Sequence, residues 1–328
     1  MEGYETLEEL FRNLNLTDVE TILDDAYHQE GAGRPPRNPL GVFKAYIVKH
    51  LLGLRSLREL ERRLGNDERL RSLCDLEADE PAYGRSVLSR FPKRVGAERL
   101  QRILNQTRRK LISRGVVNGE TTAIDGSFIK AYSSLHPKTT IPISDKDAKV
   151  GKCKGGYGLG YTLHLTADTS SELPLTYIVT PANVKETRVA RTLLYRTKRI
   201  LHGRMRRMTA DRGYSSDPFR KYARKLRVEP IIPYTNRQRR GLKGVLRIDE
   251  RFNPHGPTRL KRLYRKRSSI ERVFSRLEEL GISKPKVKGI RNVTMHVQLC
   301  LVTMLLNALA THNAGNPSKI RSLKYYAN

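Results

Sequence analysis

Residues 121–132 read "TTAIDGSFIKAY", and the acid in the middle decides how the rest of the chain is understood. Thr122, Ala123 and Ile124 have the character of a short β-strand, and Phe128 and Ile129 continue the apolar run. Asp125 interrupts it and is followed by Gly126 and Ser127. A carboxylate in a buried strand is costly unless it accepts hydrogen bonds or faces a cation. One reading is therefore a structural bond to backbone, and the other is metal ligation. The choice depends on whether other acids fall at the right places.

Downstream, "GLGYTLHLTAD" is a second strand with period-2 alternation at Tyr161, Leu163 and Leu165. "TSSE" makes a turn and "LPLTYIVTPA" a third strand. Then come a helix in "VKETRVARTLLYRTKRILH", a strand ending in the polar turn of "RMRRMTADRGYSS", a helix in "DPFRKYARKL" and a short strand in "VEPIIPY". A basic loop runs from about Thr235 to Gly256, and "LKRLYRKRSSIERVFSRLEELG" and residues 294–312 are helical again. This order predicts an α/β domain of RNase H-like type, a mixed sheet with three antiparallel leading strands and flanking helices.

In that arrangement the centre of the first strand lies beside the carboxyl end of the fourth, where open sheets gather their sites. Asp125 occupies the first position and Asp211 the second. Glu271 lies on the helix expected to cross near both. Three carboxylates in one cleft repel unless a cation neutralises them. An incomplete set of oxygen ligands favours Mg²⁺ or Mn²⁺, and two such ions suit an in-line phosphoryl displacement. Each acid has an ordinary alternative. Asp125 could bond a backbone amide, Asp211 could cap a turn, and Glu271 could pair with Arg267 one turn earlier. Those alternatives must hold independently, whereas one fold places all three acids together.

Residues 1–117 read as an all-α domain. Leu40, Val42, Phe43, Ile47, Val48, Leu51 and Leu52 recur at helical spacing, and Gly53 could end that helix. Ser56 and Glu59 have capping-box spacing, Gly65 suits a C-cap and Asn66 suits the next N-cap. "YGRSVLSRF" is a short helix expected to stop at Pro92, followed by the amphipathic "AERLQRILNQTRRKLIS". Short basic helices in succession resemble a helix-turn-helix module, and a purely structural or dimerising role fits the same pattern.

The 328 residues carry a formal net charge of +30, which points to a polyanionic partner. Between Glu186 and Arg276 there are 28 Lys and Arg against 7 Asp and Glu, a net of +21 around the proposed cleft. Cys74, Cys153 and Cys300 show no CxxC spacing, which argues against a disulfide framework or zinc site and for reduced thiols. The N-terminus "MEGYETLEEL" lacks signal-peptide character. "VQLCLVTMLLNALA", from Val297 to Ala310, is too short to span a bilayer and suits a buried helix, so no membrane partner is expected. Among lesser candidates, His164 reads as a core histidine and Asp168 as a structural turn residue. Asp145 and Asp147 lack metal-loop spacing, and "GKCKGGYGLG" lacks the Lys-Ser/Thr end of a phosphate loop and reads as a flexible hairpin approach.

Together these residues resemble the DDE (Asp-Asp-Glu) transposases of prokaryotic insertion sequences over nearly the whole chain. "AIDGSFIKAY" resembles the first-Asp motif, "GYTLHLTADTSSELPLTYIVTPANVKET" the second and third strands, and "TADRGYSS" the second-Asp motif. "GRPPRNPLGVFKAYIVKHLLGLRSLRELERRLGNDERLRSLCDL" and "EPAYGRSVLSRFPKRV" resemble the helical domain that precedes the core. Tyr264, Arg267 and Glu271 keep the spacing of the third motif, while its Lys falls on Glu278.

The resemblance implies Asp125, Asp211 and Glu271 as catalytic metal ligands for two Mg²⁺ (or Mn²⁺). Tyr264, Arg267, Arg212, Arg237, Arg239, Arg240 and Lys266 are the implied DNA contacts. It also implies double-stranded DNA partners (terminal inverted repeats and target), a homodimer in the synaptic complex, and a cytoplasmic, nucleoid-associated prokaryotic location. The expected domains are 1–117, 118–314 and a basic tail 315–328. The expected reaction is hydrolysis at the element end, releasing a 3′-hydroxyl that is then joined to target DNA. The alternatives are an RNase H-like nuclease without joining, a non-catalytic DNA-binding relative, and a basic RNA-binding protein.

Overall fold

The computed structural model describes residues 4–27, 36–136, 141–234 and 258–327. Contacts gather the chain into two units. One comprises residues 1–116, 131–133 and 276–328, and the other residues 117–130 and 134–275.

The first unit is helical. Its elements are α1 (Glu5–Arg12), α2 (Thr17–Tyr27), α3 (Pro39–Leu51), α4 (Leu57–Asn66), α5 (Glu68–Leu73) and α6 (Arg85–Ser113). Asn38 caps α3 by accepting from Leu40 N and Gly41 N. Ser56 caps α4 through Glu59 N at 3.1 Å, and the Glu59 carboxylate returns to Arg55 N at 2.9 Å, one residue before the position a capping box uses. Two expected boundaries move. Gly65 lies within α4, and Asp67, not Asn66, caps α5 by accepting from Leu70 N. Pro92 does not stop its helix. The interruption falls at Gly96, whose φ of 78° is open to glycine and strained for other residues.

The closing helix of the chain belongs to this unit too. It runs Ile290–Asn313 and packs along α6 and α3, buried from Val297 to Thr311. The sequence pattern groups residues 118–314 together, but a helix apolar on nearly every side needs a core around it, and the helical unit supplies one. The helix is longer than its apolar stretch suggested. By length and composition it could cross a membrane, yet 89% of its apolar window is buried inside the structure.

His50, His296 and Cys300 meet in this core. Thr303 donates to Leu299 O, so its oxygen accepts from His50 Nδ1 at 3.1 Å. His296 Nε2 lies 3.1 Å from Gly281 O. Cys300 Sγ lies 3.9 Å from His50 Nε2 and 3.8 Å from His296 Nε2, so the thiol faces both rings.

The second unit is built on a mixed sheet. Its strands are β1 (Thr121–Lys130), β2 (Lys149–Cys153), β3 (Gly156–Asp168), β4 (Pro174–Pro181), β5 (Arg207–Ala210) and β6 (Glu229–Ile231), in the order β2-β3-β1-β5-β6, with β4 also pairing β3. β1, β3 and β4 are antiparallel, whereas β1, β5 and β6 are parallel. Strand β2 is unforeseen. The "GKCKGGYGLG" stretch pairs with itself, Lys149 to Cys153 against Gly160 to Gly156, because its glycines hide the strand alternation without preventing the ladder.

The remaining α-helices among the described residues are α7 (Glu186–Ile200), α8 (Asp217–Lys225), α9 (Thr258–Arg265) and α10 (Ser268–Glu279). The expected continuous helix around Arg267 is broken into α9 and α10. At the break, Lys266 N and Arg267 N bond back three residues to Leu263 O and Tyr264 O.

Candidate active site

Four residues of β1 are buried before the acid: Thr121, Thr122, Ala123 and Ile124. They lie between antiparallel β3 and parallel β5, so both edges of the strand are paired at this point. Ile124 is the last residue of β1 paired with β5, and its partner is Ala210. Asp125 and Asp211 each follow immediately. Two parallel neighbours in register therefore end with a carboxylate at the same step, on the same side.

Short local bonds fix both acids. Asp125 Oδ1 accepts from Gly126 N at 2.9 Å. Asp211 caps the 3₁₀ turn Arg212–Tyr214 by accepting from Gly213 N at 2.8 Å. Glu271 comes from the first turn of α10. The Arg267 guanidinium lies between Asp125 and Glu271, donating through Nη1 to Asp125 Oδ2 at 2.9 Å and through Nη2 to Glu271 Oε1. The structural alternative for Glu271, a pair with Arg267, is thus present, but the same arginine also holds Asp125. Burial pushes the Asp125 carboxyl up to about 6. The Gly126 amide and Arg267 oppose the shift, and Asp211 and Glu271 add to it.

The break between α9 and α10 does not scatter the third motif. Tyr264 stays beside Arg267, Asp211 and Arg212, and burial raises its phenol. Arg212 and Lys266 are exposed. Arg237, Arg239 and Arg240 lie outside the described residues.

His164 is fully buried, 3.1 Å from Thr180 Oγ1 and 3.4 Å from Tyr214 Oη, and burial lowers it to about 4. It pairs across the ladder with Gly126, so His164 and Tyr214 form a neutral support beneath the strand end. Asp168 is a turn residue taken up by Gly119, Ser170 and Ser171. Asp145 accepts from Tyr161 Oη at 2.7 Å.

Sequence reasoning missed one acid. Glu186 opens α7, and its carboxylate reaches over Gly213. A Cβ on Gly213 would lie 1.9 Å from Glu186 Oε2 and 3.0 Å from Asp211 Oδ1, so a side chain there would require the Glu186 carboxylate to move aside. Burial pushes Glu186 up to about 7, Asp211 and Asp125 push it the same way, and Lys152 opposes. The available signal was an acid at a helix start directly after the third strand, but acids are common at that position and carry no chemistry by themselves.

Comparison with known proteins gives a consistent result. Residues 118–307 match the family model described as "Transposase DDE domain", and residues 4–94 match "Transposase domain (DUF772)". Among solved structures, the chain is similar to the piggyBac transposase in its synaptic complex with hairpin DNA. That match has 11% identity and a TM-score of 0.51, over 99% of this chain and 79% of the other, and is a likeness of fold. It is also similar to the Mos1 mariner paired end complex with Mn, at 13% identity over 84% of this chain and 86% of that one, with a TM-score of 0.24.

Proposed function

Because the chain belongs to the DDE transposase family, we propose that Asp125, Asp211 and Glu271 are its catalytic trio and hold two Mg²⁺ or Mn²⁺ ions for cutting and joining DNA. The observation that carries this reading is that Asp125 and Glu271, from β1 and α10, share Arg267, while the in-register pairing of β1 and β5 brings Asp211 beside Asp125. The donors are all oxygens and do not fill a coordination shell, which suits hard divalent ions and leaves room for water and phosphate. When bound, the ions supply charge neutralisation at the phosphate and a more acidic water.

The chain's own residues do the rest. Asp125, Asp211 and Glu271 are the carboxylates that would hold the ions. Arg267, which donates to Asp125 and Glu271, would be the group placed to hold a phosphate oxygen beside them. Tyr264 packs against it and limits its swing. His164 and Tyr214, neutral and buried, keep the floor of the site uncharged. Exposed Arg212 and Lys266 contribute to the basic rim along which duplex DNA, carrying an element end or a target, would lie. Two ends must be brought together for joining, which supports a homodimer as the working species.

The test is cleavage and joining of labelled duplex DNA carrying the element's own ends, in Mg²⁺ and in EDTA. Wild type should release a 3′-hydroxyl and join it to target only with metal, whereas Asp125→Asn and Glu271→Gln should do neither. Full cutting by Asp125→Asn would overturn the assignment. Cutting without joining would favour a nuclease.

A further inference from the structure

We infer that Glu186 is a fourth carboxylate of the metal centre, placed to hold an ion together with Asp211, on the side away from Glu271. The inference rests on the two-ion reading above and adds an asymmetry to it. Glu186 Oε2 and Asp211 Oδ1 flank the same point above Gly213, at 1.9 Å and 3.0 Å from it. By the triangle rule they are no more than about 5 Å apart, close enough to share one octahedral cation with modest adjustment. Arg267 sits at the opposite flank, between Asp125 and Glu271. The acids therefore run in the order Glu186, Asp211, Asp125, Glu271. Among the described residues an ion pair is recorded for Asp125 and for Glu271, both with Arg267, and none for Asp211 or Glu186.

Three local features favour ligation over a helix-start acid that merely meets the α7 dipole. An acid serving only the dipole gains at most about 1 kcal/mol on the surface and does not need to approach another carboxylate. Glu186 is half-buried and directed at the Asp211 turn. The turn residue beneath it is glycine, and a side chain there would displace the Glu186 carboxylate from its present place. The backbone thus makes room for two acids to meet, which without a cation is a repulsive contact.

The experiment is a Mn²⁺ titration of the full-length chain without DNA, read by the loss of free-ion signal in electron paramagnetic resonance. Glu186→Gln should weaken one class of site by about 10- to 100-fold and leave the other unchanged. Glu271→Gln should weaken the other class. Gly213→Ala should reproduce Glu186→Gln, because a methyl group displaces the Glu186 carboxylate without removing it, and it carries the test should Glu186→Gln fail to fold. Wild-type affinity and stoichiometry in either variant would overturn the inference, as would Glu186→Gln and Glu271→Gln weakening the same class. A wild-type chain that binds no Mn²⁺ would instead remove the two-ion reading itself.

Discussion

At the start of the β1–β3 ladder Thr122 pairs with Asp168, and three pairs further along Asp125 pairs with Leu165. Both are aspartates in or beside a buried strand. Asp168 accepts from four donors, Gly119 N, Ser170 Oγ, Ser171 N and Ser171 Oγ, at 2.8–2.9 Å. Three of these come from its own turn. Asp125 has one local amide, and every other group that matters to it is distant in sequence and carries charge: Arg267, Asp211 and Glu271. Burial is common to the two, so burial does not separate a structural acid from a chemical one. The separating property is whether neutral partners fixed by the fold meet the charge, or movable charged groups do.

The largest effect should come from the chemical acid. Asp125→Asn is expected to lower DNA cleavage on the order of 10³-fold or more, because several kcal/mol of charge stabilisation at the phosphate depend on it. In EDTA the same variant should melt at a higher temperature than wild type. The folded carboxyl titrates near 6, above its ordinary 3.8, so its ionised form opposes folding at pH 7. That cost is absent below the ordinary value and grows as pH rises through about 4 to 6. A lower melting temperature for Asp125→Asn would break the contrast.

Asp168→Ala should do the reverse. It leaves donors buried at the Gly119 and Ser171 amides, and is expected to cost about 3 kcal/mol in urea denaturation. Mn²⁺ affinity of the folded fraction should stay within about twofold, since no ligand moves. A large loss of metal binding would show that the turn and the site are mechanically one.

Much of the sheet was legible because β1, β3 and β4 carry alternation or buried apolar runs between clear turns. Asp125 and Asp211 could be paired from strand order alone, since parallel neighbours bring their carboxyl ends together. What sequence could not supply was anything set by side-chain reach. Glu186 looks like any helix-start acid until the space over Gly213 is seen. Arg267 keeps its motif spacing whether or not the helix is continuous, so the break at Lys266 and Arg267 left no trace in the pattern. Strand β2 was hidden by glycine content, and Gly96 interrupted α6 where proline had been the more conspicuous breaker.

A smaller effect is expected on acidification. His164, beside Gly126 in the ladder, is lowered to about 4 by burial against an ordinary 6.5. A histidine held neutral contributes stability that is complete above 6.5 and is lost as pH falls toward 4, because the unfolded chain binds the proton first. At pH 5 the loss from this group should be about 2 kcal/mol. Replacing His164 with Gln should flatten that part of the stability profile between pH 6.5 and 5, and an unchanged slope would assign the acid sensitivity elsewhere.

The smallest effect probes a direct tie between the Asp168 turn and α10. Glu172 lies in the Asp168 turn at a φ of 58°, a left-handed conformation unfavourable for a side chain, and it is buried. Its carboxylate accepts from Arg272 Nε at 2.8 Å, and Arg272 is the neighbour of Glu271 on α10. A turn that spent its glycine-like geometry on a glutamate must gain something from the contact, and what it reaches is the helix that presents the third acid. Because the guanidinium is more than half exposed, solvent screens the pair. Arg272→Gln should therefore cost only about 1 kcal/mol of stability. If the tie positions α10, Mn²⁺ affinity at the Glu271 site should also fall by about two- to fivefold while the Glu186 site keeps its affinity. Equal affinities at both sites would mean that Glu271 is held by Arg267 and the core of α10 alone, and that the Asp168 turn and the metal site are independent.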